Sequence, residues 1–119
     1  MNRTQSPRSC DASIEEEIIE KGLTAPRVTP ADLEANIVSE HYFVAAGAAM
    51  VTSPGPLDLL TFCVLVLRNG FTVTGESACA SPENFDAEVG RKIARANAVN
   101  KVWPLMGYEL KSMLTKVKE

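Results

Sequence analysis

The sequence is poor in the residues from which metal centres and nucleophilic sites are built. It has a single histidine, His41, and its three cysteines, Cys10, Cys63 and Cys79, lack the spacing of metal ligands. An odd number of cysteines also argues against a disulfide framework. We therefore expect no metal, no cofactor and a reduced, cytoplasmic protein.

Two further absences limit the possible partners. The formal net charge is -3, so no overall positive field attracts DNA. The longest apolar run, residues 59–67, is far too short to span a bilayer and is typical of a buried strand. A targeting signal would have an apolar core, and the first ten residues have none. We expect a flexible arm over residues 1–12 and one domain over residues 13–119.

Helix signals occur near both ends of the chain. Ser13 can cap a first helix that Gly22 stops, and Thr29-Pro30 can open a second. A third helix should begin at Ser81-Pro82 or at Asn84 and end or kink at Pro104, with a final helix after it. The expected buried stripe of this region is Phe85, Val89, Ile93, Ala96, Val99 and Trp103. Between the strands, the Gly- and Pro-punctuated residues 45–58 predict a mobile loop.

A β-hairpin is predicted around Asn69-Gly70, because both positions of a two-residue turn need positive φ. This loop would pair Val66 with Val73 and place Cys63 and Cys79 on opposite faces of the sheet. The face that carries Cys63 is then half apolar, which favours a subunit partner. The sequence therefore predicts an α+β fold, in which a small antiparallel sheet with a hairpin core packs with a long C-terminal helix and N-terminal helices.

Catalytic chemistry has little support in the sequence. Ser77 beside Glu76 lies on a strand and not on a nucleophile elbow, and His41 is more typical of a structural residue. A phosphate loop is also excluded, since Gly75 and Gly90 are too far apart and the start of the third helix is acidic. We expect no catalytic residues, and an enzyme that uses these three groups is the weakest hypothesis.

The candidate ligand-binding residues are basic and aromatic. Arg91 and Arg95 are four residues apart and share one helical face, where an arginine fork could hold phosphate oxygens. Gly90, Ala94 and Ala98 beside them form a small-residue stripe that lets another backbone approach. Arg68 and Phe71 at the hairpin tip add a cation and a ring for stacking. The alternative is a solvated basic edge in which Glu88 pairs with Arg91 and Lys92.

Several strings of the sequence occur together in one known family. The strings LRNGFTVTGESAC, SPENFDAEVGRKIA and NKVWPLMGYELK, with SEHYFVAAG upstream, resemble small tailed-phage proteins typified by a gene product 49 and a gene product 66. The resemblance covers residues 37–114. It leaves out the arm and the first helix, up to about residue 26.

This resemblance implies a function that the residues alone do not. The family is associated with a Thoeris anti-defence sponge, a homo-oligomer that binds glycocyclic ADP-ribose in the host cytoplasm without cleaving it. Some relatives are associated with cyclic oligonucleotides at separate sites. The implied ligand residues here are Arg91 and Arg95, with Arg68 and Phe71 as further candidates. The rival hypothesis is a small oligomeric phage accessory protein that binds a host protein and no small molecule.

Overall fold

The computed structural model describes residues 7–52 and 54–118, and the chain divides into two compact units. One unit combines the N-terminal residues, up to Asn36, with the C-terminal residues from Val102 onward. The other unit is continuous and runs from Ile37 to Lys101. The arm predicted over residues 1–12 is helical from Pro7, whereas residues 1–6 lie outside the described part. The prediction of a single domain stays a prediction.

Local capping signals set the two N-terminal helices. Helix α1, Pro7–Glu20, begins before the predicted cap at Ser13, and Gly22 at φ 69° ends it as predicted. The Gly22 and Leu23 amides bond back to the helix carbonyls of Ile19 and Ile18, in the pattern that closes a helix with a left-handed glycine. Helix α2, Pro30–Ala35, has the predicted start at Thr29, whose side chain shares a reciprocal capping box with Asp32.

The continuous unit contains the sheet and confirms the predicted α+β class. Its three antiparallel strands, in the order β1-β2-β3, are Ile37–Val44, Leu60–Leu67 and Thr72–Ala78. The loop predicted to be mobile contains helix α3, Ala45–Ala49, and a 3-10 helix, Pro56–Leu59. A second 3-10 helix, Pro82–Asn84, precedes helix α4, Ala87–Lys118, whose first half belongs to this unit.

The hairpin is present, but its predicted two-residue turn and register are wrong. The turn has three residues, Arg68 to Gly70, and is closed by the Leu67 amide, which donates to the Phe71 carbonyl at 2.8 Å. Within the described residues only Met50 among non-glycines has positive φ, so Asn69 does not take the geometry a two-residue turn demands. Gly70, at φ 90°, supplies the left-handed position alone, which favours the longer turn.

The shift of one residue changes which side chains share a face. Leu65 pairs with Val73 and Cys63 with Gly75, so Val73 is buried on the same face as Cys63. Because Cys63 pairs with Gly75, the alternation along β3 places Cys79 on the same side of the sheet as Cys63. The prediction that the two cysteines lie on opposite faces is therefore wrong. Cys63 and Cys79 are nevertheless both free cysteines and do not form a disulfide with each other.

Helix α4 passes through Pro104 without ending, so the predicted pair of helices is one helix. Its first turn lies later than predicted, at Ala87, where the Asp86 carboxylate accepts from the Val89 amide at 2.9 Å. The interior proline removes the bond to the Asn100 carbonyl. Asn100 is exposed, and water can satisfy that carbonyl without a break in the helix.

The buried face of α4 includes the small-residue stripe and only part of the predicted apolar stripe. Of the predicted residues, Val99 is buried and Phe85, Ala96 and Trp103 are half-buried. Ala94 and Ala98 are fully buried, whereas Val89 and Ile93 are 51% and 46% exposed. A Cβ added to Gly75 of β3 would clash with the Ala94 carbonyl and the Ala98 backbone. Strand and helix therefore meet backbone to backbone, an approach that only glycine and small residues permit. The backbone predicted to approach the small-residue stripe is the chain's own strand β3.

A buried hydroxyl beside this contact gives a stability prediction. Thr61 of β2 is 2% exposed, and its Oγ1 has no hydrogen-bond partner in the described part of the chain. Thr61→Val keeps the shape and removes the unsatisfied group, so we expect stabilisation by about 1 kcal/mol. Urea denaturation followed by circular dichroism measures it. Thr61→Ser, which keeps the hydroxyl and loses a methyl group, is the control and should be destabilising.

Candidate functional site

The predicted Arg95 is held at the edge of the sheet by a carboxylate on β1. Its Nε donates to Glu40 Oε2 at 3.1 Å, and the Arg95 side chain is only 17% exposed. The Tyr42 hydroxyl donates to the other oxygen, Glu40 Oε1, at 2.6 Å. Glu40 and Tyr42 lie opposite Leu65 and Cys63, on the face of the sheet that α4 covers. Arg95 is therefore a positioned side chain, anchored from α4 to β1.

Burial affects the two weak acids next to this ion pair. Burial raises the pKa of the Tyr42 phenol well above its usual value, and the hydrogen bond to the Glu40 carboxylate adds to the effect. Burial also raises the pKa of the Cys63 thiol, with the Tyr42 hydrogen bond acting in the opposite direction. Both groups stay protonated at neutral pH. Cys63 therefore lacks the thiolate that a nucleophile needs.

Arg91 lies one turn before Arg95 on α4 and is exposed. Glu88, which could have neutralised it, forms its ion pair with Lys92 at 3.5 Å. No carboxylate of the described residues pairs with Arg91. The site at this end of α4 thus consists of one anchored and one solvent-facing guanidinium, both donors with planar geometry suited to phosphate oxygens.

The other two predicted ligand residues lie elsewhere in the same unit. Arg68 is the first residue of the hairpin turn and Phe71 follows the turn, with 54% of the residue exposed. The start of α4 contacts the opposite end of β2, because Gly90 packs against Thr61. Thr61 and Leu67 are separated by about 20 Å at the rise of a strand. Within one chain, Arg68 and Phe71 do not share a site with Arg91.

The N-terminus of α4 is not a second anion site. The Asp86 carboxylate already accepts from the Val89 amide, and Glu88 adds a second negative charge to the first turn. A phosphate placed there would meet both carboxylates instead of free amides. The sequence-based exclusion of a phosphate loop agrees with this geometry.

The three groups of the enzyme hypothesis are not brought together. The register places His41 and Glu76 on the open face of the sheet and Ser77 on the face that α4 covers. His41 is exposed, and a ring nitrogen lies 3.0 Å from Ser39 Oγ. No group of three or more potential metal ligands occurs in residues 7–52 and 54–118. Nor is any described helix long and apolar enough to cross a membrane.

A small cavity lies in the loop between β1 and β2. Its volume is about 290 Å³, near the lower limit for a small-molecule site, and its walls include Pro54, Pro56, Leu57 and Asp58. The Asp58 carboxylate accepts from the Gly55 amide at 2.9 Å. The one acidic side chain of this mostly apolar wall makes it unsuited to a phosphate.

The face of the sheet opposite α4 is open and apolar, and the sequence predicted other side chains for it. Phe43 of β1 and Phe62 of β2 are paired and stack with ring centroids 5.3 Å apart. Phe43 is 40% exposed, and Val64 and Val66 beside Phe62 are only half-buried. The apolar second face was expected, but the hairpin register assigned it to the wrong side chains. Glu40 and Tyr42 were missed because their role depends on the pairing of β1, which the sequence alone did not specify.

Comparison with known proteins identifies a family and no characterised relative. The model of the phage protein family described as N4 Gp49/phage Sf6 gene 66 matches residues 28–114. The match begins before the residues that carried the resemblance and includes α2, the whole sheet and most of α4. No curated protein and no solved structure matches the chain.

Proposed function

Because the chain belongs to the N4 Gp49/phage Sf6 gene 66 family of phage proteins, we propose that it is an anti-defence sponge. It binds a nucleotide-derived immune signal of the glycocyclic ADP-ribose type in the host cytoplasm and sequesters it without cleavage. Cyclic oligonucleotides are a second ligand class for the same protein. The phage family supports a role in infection. The ligand class comes from the resemblance, and the arginines of the site are compatible with its phosphates.

The observation that carries the proposal is the arginine pair on α4. Arg91 is exposed without a carboxylate partner among the described residues, one turn from an Arg95 that Glu40 holds in place. A pyrophosphate needs charge-assisted donors in fixed positions, and an anchored guanidinium loses less conformational entropy on binding than a free one. Sequestration requires no nucleophile. This suits a chain in which Ser77 lies on the opposite face of the sheet from His41 and Glu76.

A complete site of this kind requires more than one chain. The base and ribose of the ligand need a stacking surface, yet Phe71 and Arg68 are at the far end of β2 from Arg91. They join the arginine pair only if a second copy supplies them. We therefore place the ligand at a boundary between subunits of a homo-oligomer.

Isothermal titration with glycocyclic ADP-ribose tests the proposal. We expect saturable binding, a rise in Tm, and no comparable binding of linear ADP-ribose, because the cyclic ligand is already constrained. Denaturing the complex and measuring the released compound by mass spectrometry should recover it intact. The absence of both heat and thermal shift at saturating ligand would contradict the sponge, and recovery of a cleaved product would indicate a hydrolase.

A second candidate function rests on the open face of the sheet. The stacked Phe43 and Phe62 with Val64 and Val66 form an exposed apolar surface, which is typical of a protein-binding site. The chain would then be an oligomeric accessory protein that binds a host protein. Stoichiometric capture of one host protein, lost in Phe43→Asp and retained in Arg91→Glu, would favour this function over the sponge.

A further inference from the structure

The C-terminal half of α4 carries an apolar face that becomes uncovered along the helix. At about 100° per residue, Met106, Leu110, Met113 and Val117 fall within an arc of about 60°. Val102, at the start of this segment, is fully buried, and Met106 and Leu110 are half-buried. Met113 is 57% exposed and Val117 is 84% exposed. The face is covered at one end and open at the other.

The spacing of these residues is that of a helix–helix seam. Steps of four, three and four residues separate Met106, Leu110, Met113 and Val117, as in the a and d positions of a heptad. Such a seam packs against another helix with the same spacing. A second copy of this segment provides one.

The charges along one border of the seam favour an antiparallel over a parallel orientation of the second helix. Glu109 and Lys116 lie on the same border, seven residues apart. Neither has an ion pair within the described residues. In an antiparallel pair, this border faces the same border of the partner, so that Glu109 of each copy meets Lys116 of the other. In a parallel pair it faces the opposite border, which carries Gly107 and Leu114.

The apolar residues follow the same antiparallel register. When Glu109 faces Lys116 of the second copy, Leu110 lies against Met113 and Met106 lies against Val117. Every contact occurs twice, as a two-fold axis requires. We propose that the residue 106–117 segment of α4 forms an antiparallel homodimer with a second copy of this chain.

The dimer is independent of any ligand, so it goes beyond the sponge function. About three helical turns from each copy make a small interface, and we expect a dissociation constant in the micromolar range. Sedimentation equilibrium of the apo protein from about 1 to 500 µM should show a monomer–dimer equilibrium. A protein that stays monomeric over this range overturns the proposal.

Two matched substitutions test which surface holds the dimer. Met113→Glu places a carboxylate in the seam and should weaken the dimer at least about 10-fold. Tyr108→Glu changes the charge equally on the opposite side of the helix, where Tyr108 is 78% exposed, and should leave dimerisation unchanged. Circular dichroism confirms that both variants are folded. A dimer that survives Met113→Glu uses another surface, such as the sheet or α1, and contradicts the proposal.

A charge exchange tests the antiparallel direction. Glu109→Lys and Lys116→Glu should each weaken the dimer by about 3- to 10-fold, because each creates a like-charge pair across the interface. The double variant should regain the wild-type dissociation constant. Residues seven apart do not contact each other within a helix, so recovery reports a contact between copies. Additive losses in the double variant would overturn the antiparallel arrangement.

Discussion

Gly75→Ala is expected to destabilise the continuous unit by about 3 kcal/mol or more. The new Cβ would overlap the Ala94 carbonyl and the Ala98 amide and lie 2.9 Å from the Ala98 Cα. All of these are backbone atoms, which no rotamer change can move. The helix would have to withdraw from the strand and expose the face that Ala94 and Ala98 now bury. Urea denaturation followed by circular dichroism measures the loss.

The matched control uses a glycine of the same unit that has room. A Cβ at Gly47 in α3 meets no atom within 4 Å. Gly47→Ala should therefore leave the protein as stable as the wild type or more stable by about 0.5 to 1 kcal/mol, since alanine favours the helix. Equal stability of Gly75→Ala and wild type would mean that α4 does not sit directly on the backbone of β3.

Arg91→Glu is expected to weaken the binding of glycocyclic ADP-ribose by about 100-fold. The substitution removes charge-assisted hydrogen bonds to the pyrophosphate, each worth about 1.5 to 3 kcal/mol, and adds a repelling charge. Arg91 is exposed and has no carboxylate partner in the described residues, so the fold should be unaffected. Isothermal titration of wild type and variant measures the ratio, and thermal unfolding checks stability.

Lys92→Glu is the control for Arg91→Glu, because both reverse one exposed positive charge on the same turn of α4. Unlike Arg91, Lys92 already has a carboxylate partner, Glu88, at 3.5 Å. We expect Lys92→Glu to weaken ligand binding by less than about 3-fold, because only the screened long-range electrostatic potential changes. Equal losses in both variants would show that net charge, and not a site at Arg91, governs binding. Arg95→Glu is less useful, since it would face Glu40 with a second carboxylate and perturb the fold.

Features that depend on a few neighbouring residues could be predicted from the sequence. The capping box at Thr29 and the glycine stop at Gly22 were confirmed because their hydrogen bonds are local. The hairpin was found, but its register was wrong. Asn-Gly fits both a two-residue turn and the three-residue turn that is present, and the φ of Asn69 decides between them. That angle depends on the strands on either side.

The buried face of α4 could be predicted only in part from hydrophobicity, which placed Val99 correctly. Val89 and Ile93 are the more apolar residues and were expected inside, yet the smaller Ala94 and Ala98 are buried. The reason is Gly75, more than fifteen residues away, which allows an approach too close for larger side chains. For the same reason the candidate site was only partly visible: Arg91 and Arg95 follow from helical spacing, whereas Glu40 as the anchor depends on a strand partner.

The contact between Gly75 and α4 also limits how this protein can diverge. A side chain at position 75 is compatible with the fold only if the helix moves outward, and that movement would carry Arg95 away from Glu40 on β1. Gly75, Ala94 and Ala98 should therefore be inherited together among relatives that keep the ion pair. A relative with a larger residue at any of these three positions should have lost that pair or replaced it with longer side chains.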